Sequence, residues 1–312
     1  MSRLVTLFGG GGFLGRYVAQ ELLKAGARVR VAERDPSDAF FLKPLGTLGQ
    51  IQFVPASVTK PASVARAVEG ADVVINLVGI LKGDFDAIHR KGAANVAGAA
   101  QAAGVEALVH VSAIGADPES PSAYGRSKGE GEAAVRAVFP GATIIRPSVV
   151  FGQEDGFLNR FAALQAVPFV PVLRGEAKFQ PVWVADVARA IAAAALNSGA
   201  HAGKTYELGG PEVVTMAGLN AWLAKATGRE PNFVPVPDFA GGILATLLGV
   251  LPGAPITRDQ WLMLQKDNVV SAGAKGLEAF GIKPTPMEAV APGWLVQYRP
   301  HGRFATTTKP AA

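Results

Sequence analysis

Short apolar runs rich in β-branched residues alternate with longer segments of helical periodicity through the first half of the chain. The short runs predict six buried strands, and the longer segments predict helices, in which apolar residues recur every three to four positions. Strands that alternate with helices form βαβ units, and their right-handed crossovers build a parallel sheet. The predicted strands are 4–8, 29–32, 51–54, 73–78, 107–111 and 143–146, and the predicted helices are 13–24, 61–69, 84–103 and 122–138.

The alternation loosens after Phe151, where prolines divide the chain into short pieces. Helical periodicity persists at 184–196 and 215–227. We expect a smaller lobe here that packs over the carboxyl ends of the sheet. The predicted organisation is an α/β domain with a doubly wound parallel sheet at 1–150, a smaller C-terminal α/β lobe at 151–298 with some elements that return to the first domain, and a basic tail at 299–312.

Composition narrows the classes of protein that fit this pattern. Of the 312 residues, 49% are apolar and 18% are charged, which favours a large buried core over a disordered chain. Cysteine is absent, which excludes disulfides, iron–sulfur clusters, zinc–thiolate sites and thiolate nucleophiles. The four histidines show no ligand spacing, so we predict no metal site. The net charge of +5 is small and no basic-aromatic stripe accompanies it, so we predict no nucleic-acid partner.

No apolar run reaches the roughly 18 residues that a membrane-spanning helix needs. The longest, 239–251, ends at Pro252 and Gly253. It predicts a helix buried in the core, with contact to a membrane surface as the alternative. Residues 1–3 lead directly into the first strand without the apolar stretch of a signal peptide. We therefore expect a cytoplasmic protein, with peripheral attachment to the inner membrane as the alternative.

A glycine-rich loop joins the first strand to the first helix. Gly9, Gly12 and Gly15 have the spacing at which a dinucleotide pyrophosphate approaches backbone N–H groups at a helix N-terminus. Side chains would block that approach, and the third glycine lets the helix pack close to the strand. Together with Phe13 and Leu14, which begin the helix, these glycines predict a dinucleotide site. A tight turn without a ligand is the alternative.

The end of the second strand predicts which dinucleotide binds. An acidic residue there holds the ribose 2′-hydroxyl of NAD, whereas an arginine accepts the 2′-phosphate of NADP. The chain offers both, because Glu33 is followed by Arg34, and either residue can instead be a solvated strand end. We favour NADP(H), with NAD(H) as the alternative, partly because of the family resemblance described below.

Tyr124 and Lys128 are four residues apart in a predicted helix and therefore lie on one face. A phenol titrates near 10, and a neighbouring ammonium would favour the phenolate and can also hold a ribose hydroxyl. Ser112 follows the fifth strand, where its hydroxyl can orient a substrate carbonyl. These three residues are the candidate catalytic set.

The chain resembles the extended or atypical short-chain dehydrogenases/reductases over essentially its whole length. Further motifs narrow the resemblance to the branch that contains the NAD(P)-binding accessory subunit of respiratory complex I and its bacterial relatives. The residues that carry the resemblance are the glycine loop, Tyr124-x-x-x-Lys128, 146–152 (RPSVVFG), 151–159 (FGQEDGFLN), 180–187 (QPVWVADV) and 256–259 (ITRD).

The resemblance implies a Rossmann fold and a tightly held NADP(H) with a structural role, in a protein that docks on a respiratory-chain or other inner-membrane assembly. The apolar run and the basic tail would be the docking surfaces. Relatives in this branch are also described as NAD-dependent epimerase/dehydratase-like, which implies an alternative: an active reductase, epimerase or dehydratase of a hydrophobic carbonyl or nucleotide-linked substrate. Redox sensing through cofactor occupancy is a third hypothesis. The resemblance adds further cofactor contacts at Ser57, Val78, Gly79 and Pro147.

The chain departs from the family pattern in its candidate site. The catalytic hydroxyl usually lies at the second place of a Ser-Ser pair, which here is Ser112-Ala113, and successive strand side chains point to opposite faces. The acidic residue that contacts adenine is replaced by Ser57. Glu33 is an acid where NADP-binding relatives seldom carry one. These departures favour the structural role over catalysis.

Overall fold

The computed structural model describes residues 2–247 and 256–302. The strands, in chain order, are β1 Leu4–Phe8, β2 Arg28–Glu33, β3 Ile51–Pro55, β4 Val73–Asn76, β5 Ala107–Val111, β6 Thr143–Pro147, β7 Val150–Phe151, β8 Phe169–Leu173, β9 Lys178–Phe179, β10 Val182–Trp183, β11 Thr205–Leu208, β12 Val214–Thr215 and β13 Asn232–Val236. The α-helices are α1 Phe13–Lys24, α2 Pro61–Val68, α3 Ala93–Ala102, α4 Ala123–Val138, α5 Leu158–Leu164, α6 Val184–Leu196, α7 Ser198–His201, α8 Met216–Thr227, α9 Asp238–Leu247, α10 Arg258–Met263, α11 Met287–Val290 and α12 Pro292–Leu295. 3₁₀-helices cover Pro36–Leu45, Leu277–Phe280 and Val296–Tyr298, and a π-helical segment covers Asp86–Gly92.

In the part of the chain that the structure describes, seven parallel strands form one sheet in the order β11-β6-β5-β4-β1-β2-β3. The chain proceeds outward from β1 to β3 and then, from β4 onward, outward in the other direction. The loops that leave β1 and β4 therefore diverge, and ligands of such sheets bind in the crevice at this point. The predicted doubly wound α/β sheet is confirmed.

Helices cover both faces of this sheet, which is why its strands are continuous apolar runs. On one face, Phe8, Val74 and Leu108 pack in a single core cluster with residues of α2, α3 and α4. Alternate strand residues such as Leu7 and Ile75 are also fully buried and point the other way, where α1 and α6 pack together.

The sheet has one strand more than the six predicted, because β11 pairs with β6 at its edge. The predicted helix 84–103 is a π-helical segment followed by α3 rather than one regular helix. The predicted strand 73–78 ends at Asn76, since the Asn76 side chain accepts a hydrogen bond from the Val78 N–H at 3.1 Å and the backbone turns out of the sheet.

The described chain divides into two compact units. The first comprises Met1–Ser148, Val184–Gly209 and Val270–Pro284, and therefore holds the whole seven-stranded sheet together with α6. The second has its own core around Phe151 and Leu219, with two-stranded sheets formed by β7 with β10, β8 with β13 and β9 with β12. The domain boundaries placed at 150 and 298 stay predictions, and most of the predicted tail, 303–312, lies outside the described residues.

The predicted helix 239–251 corresponds to α9, and its last part, 248–255, lies outside the described residues. One face of α9 is packed: Ala245 is buried, and a Cβ on Gly241 would lie 2.6 Å from the Trp261 ring. Phe239 and Ile243, four residues apart, are 75% and 54% exposed. The helix thus has a buried face and an apolar exposed face. None of the helices within residues 2–247 and 256–302 has the length and apolarity to cross a bilayer.

Candidate functional site

The glycine loop connects β1 to α1 in a tight turn. Gly9 has a φ of +81°, which favours glycine, and the Gly12 N–H donates to the Gly9 carbonyl at 3.2 Å. A Cβ on Gly15 would lie 2.2 Å from the Gly9 oxygen, so α1 can approach the turn this closely only with glycine there. A Cβ on Gly12 would meet only that oxygen, at 3.4 Å, and Gly12 is exposed. Gly15 is therefore required by the fold, whereas Gly12 leaves the helix N-terminus open to a ligand.

Glu33 and Arg34, the two residues expected to select the cofactor, have different environments. The Gly11 N–H donates to Glu33 Oε1 at 2.6 Å, so this carboxyl holds the glycine loop. Burial raises the pKa of Glu33, and the bond from Gly11 partly offsets that effect. Arg34 is exposed and lines a cavity instead.

This outer cavity, of about 430 Å³, lies at the carboxyl ends of β2 and β3. Arg34, Lys60 and Arg66 give it positive charge, and Ser57 and Ser63 add hydroxyl groups. Among the described residues that line it there is no carboxylate. A phosphate or another anionic group fits such a lining by charge. Lys60 and Arg66 were not among the residues predicted from the sequence, where the signal for them is two basic residues shortly after the third strand.

An inner cavity, of about 210 Å³, lies at the carboxyl ends of β4 and β5. The glycine loop follows β1, which stands between β4 and β2 in the sheet, so it separates the two cavities in strand order. The structure brings the three candidate catalytic residues together in this lining. The residues that line it are Leu77, Gly79, Ile80, Leu81, Val111, Ser112, Tyr124 and Lys128.

Ser112 lines the inner cavity although it is the first residue of the Ser112-Ala113 pair. β5 ends at Val111, so strict alternation of side chains no longer applies at the next position. Ser112 is 3% exposed, and within the described residues its Oγ has no hydrogen-bond partner. A buried hydroxyl without a partner costs free energy unless a ligand supplies one, so this atom favours a polar ligand group in the cavity.

Tyr124 and Lys128 lie on one face of α4, as their spacing predicts. Lys128 is 5% exposed, its Nζ donates to the Val111 carbonyl at 3.2 Å, and it lies 6.0 Å from the centre of the Tyr124 ring. Burial raises the pKa of Tyr124 to about 12 and lowers the pKa of Lys128 to about 8. The shift of the Tyr124 pKa comes from burial, and its direction favours the neutral phenol over the phenolate that the neighbouring ammonium was expected to favour.

A buried ion-pair network holds α4 against the sheet beneath this site. Glu132, one turn after Lys128, accepts two hydrogen bonds from Arg146, both at 2.8 Å. Arg146 also contacts Glu207 of β11 at 3.4 Å. These contacts link α4 to β6 and β11. The Glu132 carboxylate also partly offsets the lowering of the Lys128 pKa by burial.

Besides Glu33 and the three glycines of the loop, four further predicted cofactor residues line neither cavity. Phe13 and Leu14 are half-buried in the first turn of α1. Val78 is half-buried, and Pro147 is buried at the end of β6, where its carbonyl accepts from the Ile114 N–H at 3.0 Å. Their contacts with a cofactor stay predictions. No group of three or more metal-ligating side chains occurs in the part of the chain that the structure describes.

Comparisons with known proteins identify the family. The sequence family described as NAD(P)H-binding matches residues 9–198. The chain is 37% identical over 320 residues to the mitochondrial NADH dehydrogenase [ubiquinone] 1 alpha subcomplex subunit 9 of Rattus norvegicus, covering 99% of this chain and 84% of that protein. It is 30% identical to the ceramide reductase of Caulobacter vibrioides, covering 92% of this chain and 87% of that protein.

A solved structure has the same fold. The NADPH-dependent quinone oxidoreductase QOR2 of Escherichia coli, in complex with NADPH, superposes with a TM-score of 0.75 at 23% identity, covering 92% of this chain and 98% of that one. The glycine loop, the Rossmann sheet and the sequence matches lead to one conclusion. The chain belongs to the NAD(P)H-binding family of atypical short-chain dehydrogenases/reductases, in the branch that includes subunit 9 of the NADH dehydrogenase [ubiquinone] 1 alpha subcomplex.

Proposed function

We propose that the protein binds NADP(H) along the carboxyl edge of its sheet and serves as an accessory component of a respiratory-chain assembly at the inner membrane. The observation that carries this proposal is the order of features along that edge: a basic cavity, an open glycine loop and a cavity with Tyr124 and Lys128. The adenosine end of the dinucleotide would occupy the outer, basic cavity, and its pyrophosphate would lie on the glycine loop. Its nicotinamide end would occupy the inner cavity beside Tyr124 and Lys128.

The charges around the outer cavity support NADP(H) over NAD(H). Arg34, Lys60 and Arg66 are placed to neutralise a 2′-phosphate. The Glu33 carboxylate would repel a 2′-phosphate, but it accepts a hydrogen bond from the Gly11 N–H. Burial also raises the pKa of Glu33, which disfavours its charged form. Ser57 lines the same cavity and supplies a hydroxyl in place of the acid that contacts adenine in relatives.

Two observations support an accessory role rather than turnover. The relative with the higher identity is named as a subunit of NADH dehydrogenase. On α9, Phe239 and Ile243 form an exposed apolar stripe of the kind that docks on a protein or a membrane surface. A bound nicotinamide would supply hydride-transfer chemistry, but in this proposal the dinucleotide stabilises the fold and so the docking surface.

The test combines purification with two substitutions. Protein purified from cells is expected to carry NADP(H) through gel filtration. Gly12→Asp should abolish binding and assembly of the respiratory complex without lowering the stability of the nucleotide-free protein, because a Cβ there would meet only the Gly9 oxygen, at 3.4 Å. Tyr124→Phe should leave binding and assembly intact. Loss of assembly with both substitutions would favour catalysis, and protein free of nucleotide with only millimolar affinity would overturn the proposal.

A second candidate function is reduction of a hydrophobic carbonyl. The Ser112 hydroxyl, which has no hydrogen-bond partner among the described residues, and the Tyr124 phenol can donate hydrogen bonds to a carbonyl oxygen. Leu77, Ile80 and Leu81 give the same cavity apolar walls. The 30% identical ceramide reductase also favours it. Oxidation of NADPH in the presence of apolar ketones or quinones, abolished by Tyr124→Phe, would establish this activity; no oxidation with any of them would exclude it for those substrates.

A further inference from the structure

The two walls of the inner cavity come from different parts of the chain, and one buried histidine touches both. Gly79 and Ile80 belong to the loop after β4, whereas Tyr124 belongs to α4. His89, in the π-helical segment, accepts a hydrogen bond from the Ile80 N–H at Nε2 (2.9 Å). Its Nδ1 lies 2.8 Å from the Ser127 hydroxyl on α4. His89 thus joins the loop to the helix from behind the cavity.

The hydrogen-bond pattern determines the tautomer of His89. A backbone N–H only donates, so Nε2 must carry no proton and Nδ1 must carry one. Nδ1–H then donates to Ser127 Oγ, and the Ser127 hydroxyl donates to the Tyr124 carbonyl at 2.8 Å. The chain of donors runs in one direction, from Ile80 through His89 and Ser127 to Tyr124. Only a neutral imidazole completes it.

The surroundings keep the imidazole neutral. His89 is buried, the Phe85 ring stacks on it with centres 5.4 Å apart, and the Tyr124 ring meets it edge to face at 5.5 Å. Burial first, and the Lys128 charge second, lower the pKa of His89 to about 3. A protonated Nε2 would place a donor against the Ile80 N–H and break the contact.

The backbone around His89 is built for this contact. A Cβ on Gly131 of α4 would lie 2.2 Å from the His89 carbonyl oxygen, so the helix and the π-helical segment approach this closely only with glycine at that position. π-helical turns are rare and occur frequently at functional sites. Here the turn carries the residue that connects the cavity walls.

We propose that His89 is a positioning residue: as a neutral imidazole it holds the loop at Gly79–Ile80 and the Tyr124–Lys128 face of α4 at a fixed separation, which preorganises the site for the nicotinamide end of the cofactor. This proposal rests on the proposed function. It predicts that His89 acts on the inner end of the site alone, since among the described residues its hydrogen bonds and ring contacts go to none of those that line the outer cavity.

The test measures the affinity for two ligands, NADPH and 2′,5′-ADP, which carries only the adenosine end. His89→Phe keeps an aromatic ring but removes both hydrogen bonds of the imidazole. NADPH binding should weaken by about tenfold, which is the expected effect of losing about two neutral hydrogen bonds. Binding of 2′,5′-ADP should be unchanged. His89→Gln, whose amide can accept from Ile80 and donate to Ser127, should recover most of the loss.

Ser127→Ala provides a second variant in case His89→Phe does not fold, and should give a smaller loss with the same ligand dependence. In the wild type, ¹⁵N NMR of the imidazole should show a protonated Nδ1, a bare Nε2 and no titration between pH 5 and 8. Equal losses for both ligands, no loss for either, or titration near pH 6.5 would overturn the role of His89. Wild-type protein that binds neither ligand would instead overturn the proposed function.

Discussion

The outer and inner cavities lie at the same edge of one sheet but are built in opposite ways. The outer cavity presents exposed cations, Arg34 and Lys60 among them, on side chains that keep contact with water. The inner cavity is formed around the buried Lys128, and buried His89 fixes its walls from behind. One end is therefore suited to selecting a ligand by charge, and the other to holding a shape.

This difference determines which perturbation each end resists. Exposed charges act through a screened field, so loss of one cation weakens binding without disturbing the fold. Buried polar groups depend on complete hydrogen bonding, so loss of a partner or gain of a proton disturbs the structure itself. Changes that affect both ends, the inner end alone or the outer end alone should therefore have separable signatures.

Gly15→Ala should have the largest effect, because the glycine loop supports both ends. The new Cβ would lie 2.2 Å from the Gly9 oxygen and 2.6 Å from Gly10 Cα, so the loop or α1 must shift. We expect the free energy of unfolding to fall by about 3 kcal/mol and dinucleotide binding to be lost. Chemical denaturation and binding titration check this.

Gly98→Ala is the matched control for that substitution. Gly98 is also helical, and a Cβ there would meet nothing within 4 Å. Its replacement should leave binding unchanged and raise stability by up to about 1 kcal/mol, since alanine favours helix. Equal stability of the Gly15→Ala protein and the wild type would contradict the close approach of α1 to the loop.

The elements around the glycine loop are among those that the sequence could predict, because their signals are local. α1 and β5 were predicted to the residue, because glycines, helical periodicity and a continuous apolar run are local signals. β11 was missed because it has four residues and forms only by pairing with β6, a non-local contact. The π-helical segment was missed because its turn depends on packing, such as the Gly92 backbone against Val58, which no periodicity encodes.

The residues of the candidate site also differ in whether a local sequence signal reveals them. Tyr124 and Lys128 could be found because both lie on one helix at a spacing visible in the sequence. Lys60, Arg66 and His89 could not, since crossover connections bring them to the sheet edge from separate segments. The upward shift of the Tyr124 pKa could not be predicted from the sequence either, because it comes from burial, which is a property of the tertiary structure.

Acid should be the next strongest perturbation, and should act on the inner end. Burial lowers the pKa of both His89 and His110 to about 3, below the value near 6.5 of an unfolded histidine. The unfolded chain therefore binds more protons, so their contribution is complete above pH 6.5 and declines as pH falls toward 3. Between pH 6.5 and 3, His89 and His110 should each lower the free energy of unfolding by about 1.4 kcal/mol for every unit by which the pH falls.

His89→Gln isolates one of these contributions. The variant removes one titrating group, so its unfolding free energy should decline less steeply than the wild type's between pH 6.5 and 4, by about 1.4 kcal/mol per pH unit. Denaturant titrations across this range measure the difference. Parallel pH profiles for the two proteins would mean that His89 titrates normally in the folded state.

Arg34→Ala should affect the outer end alone, and by less. We expect NADPH affinity to fall by about tenfold, or about 1.4 kcal/mol, through loss of a cation beside the 2′-phosphate. NADH affinity and the free energy of unfolding should not change. Lys225→Ala, an equal change of charge on α8 in the second unit, is the control. Equal losses of NADPH and NADH affinity would contradict the assignment of the 2′-phosphate to this cavity.

The smallest expected effect comes from alkaline titration of Lys128. Burial lowers its pKa to about 8, so its ammonium loses a proton as pH rises from 7 to 9, and with it the charge that assists a ribose hydroxyl. NADPH affinity should decline about threefold, since one neutral hydrogen bond replaces a charged one. Lys128→Arg stays charged throughout and should give a flat profile. A wild-type profile as flat as that of the variant would show that binding does not depend on the charge of Lys128, and would leave only the shape of the inner cavity to hold the nicotinamide end.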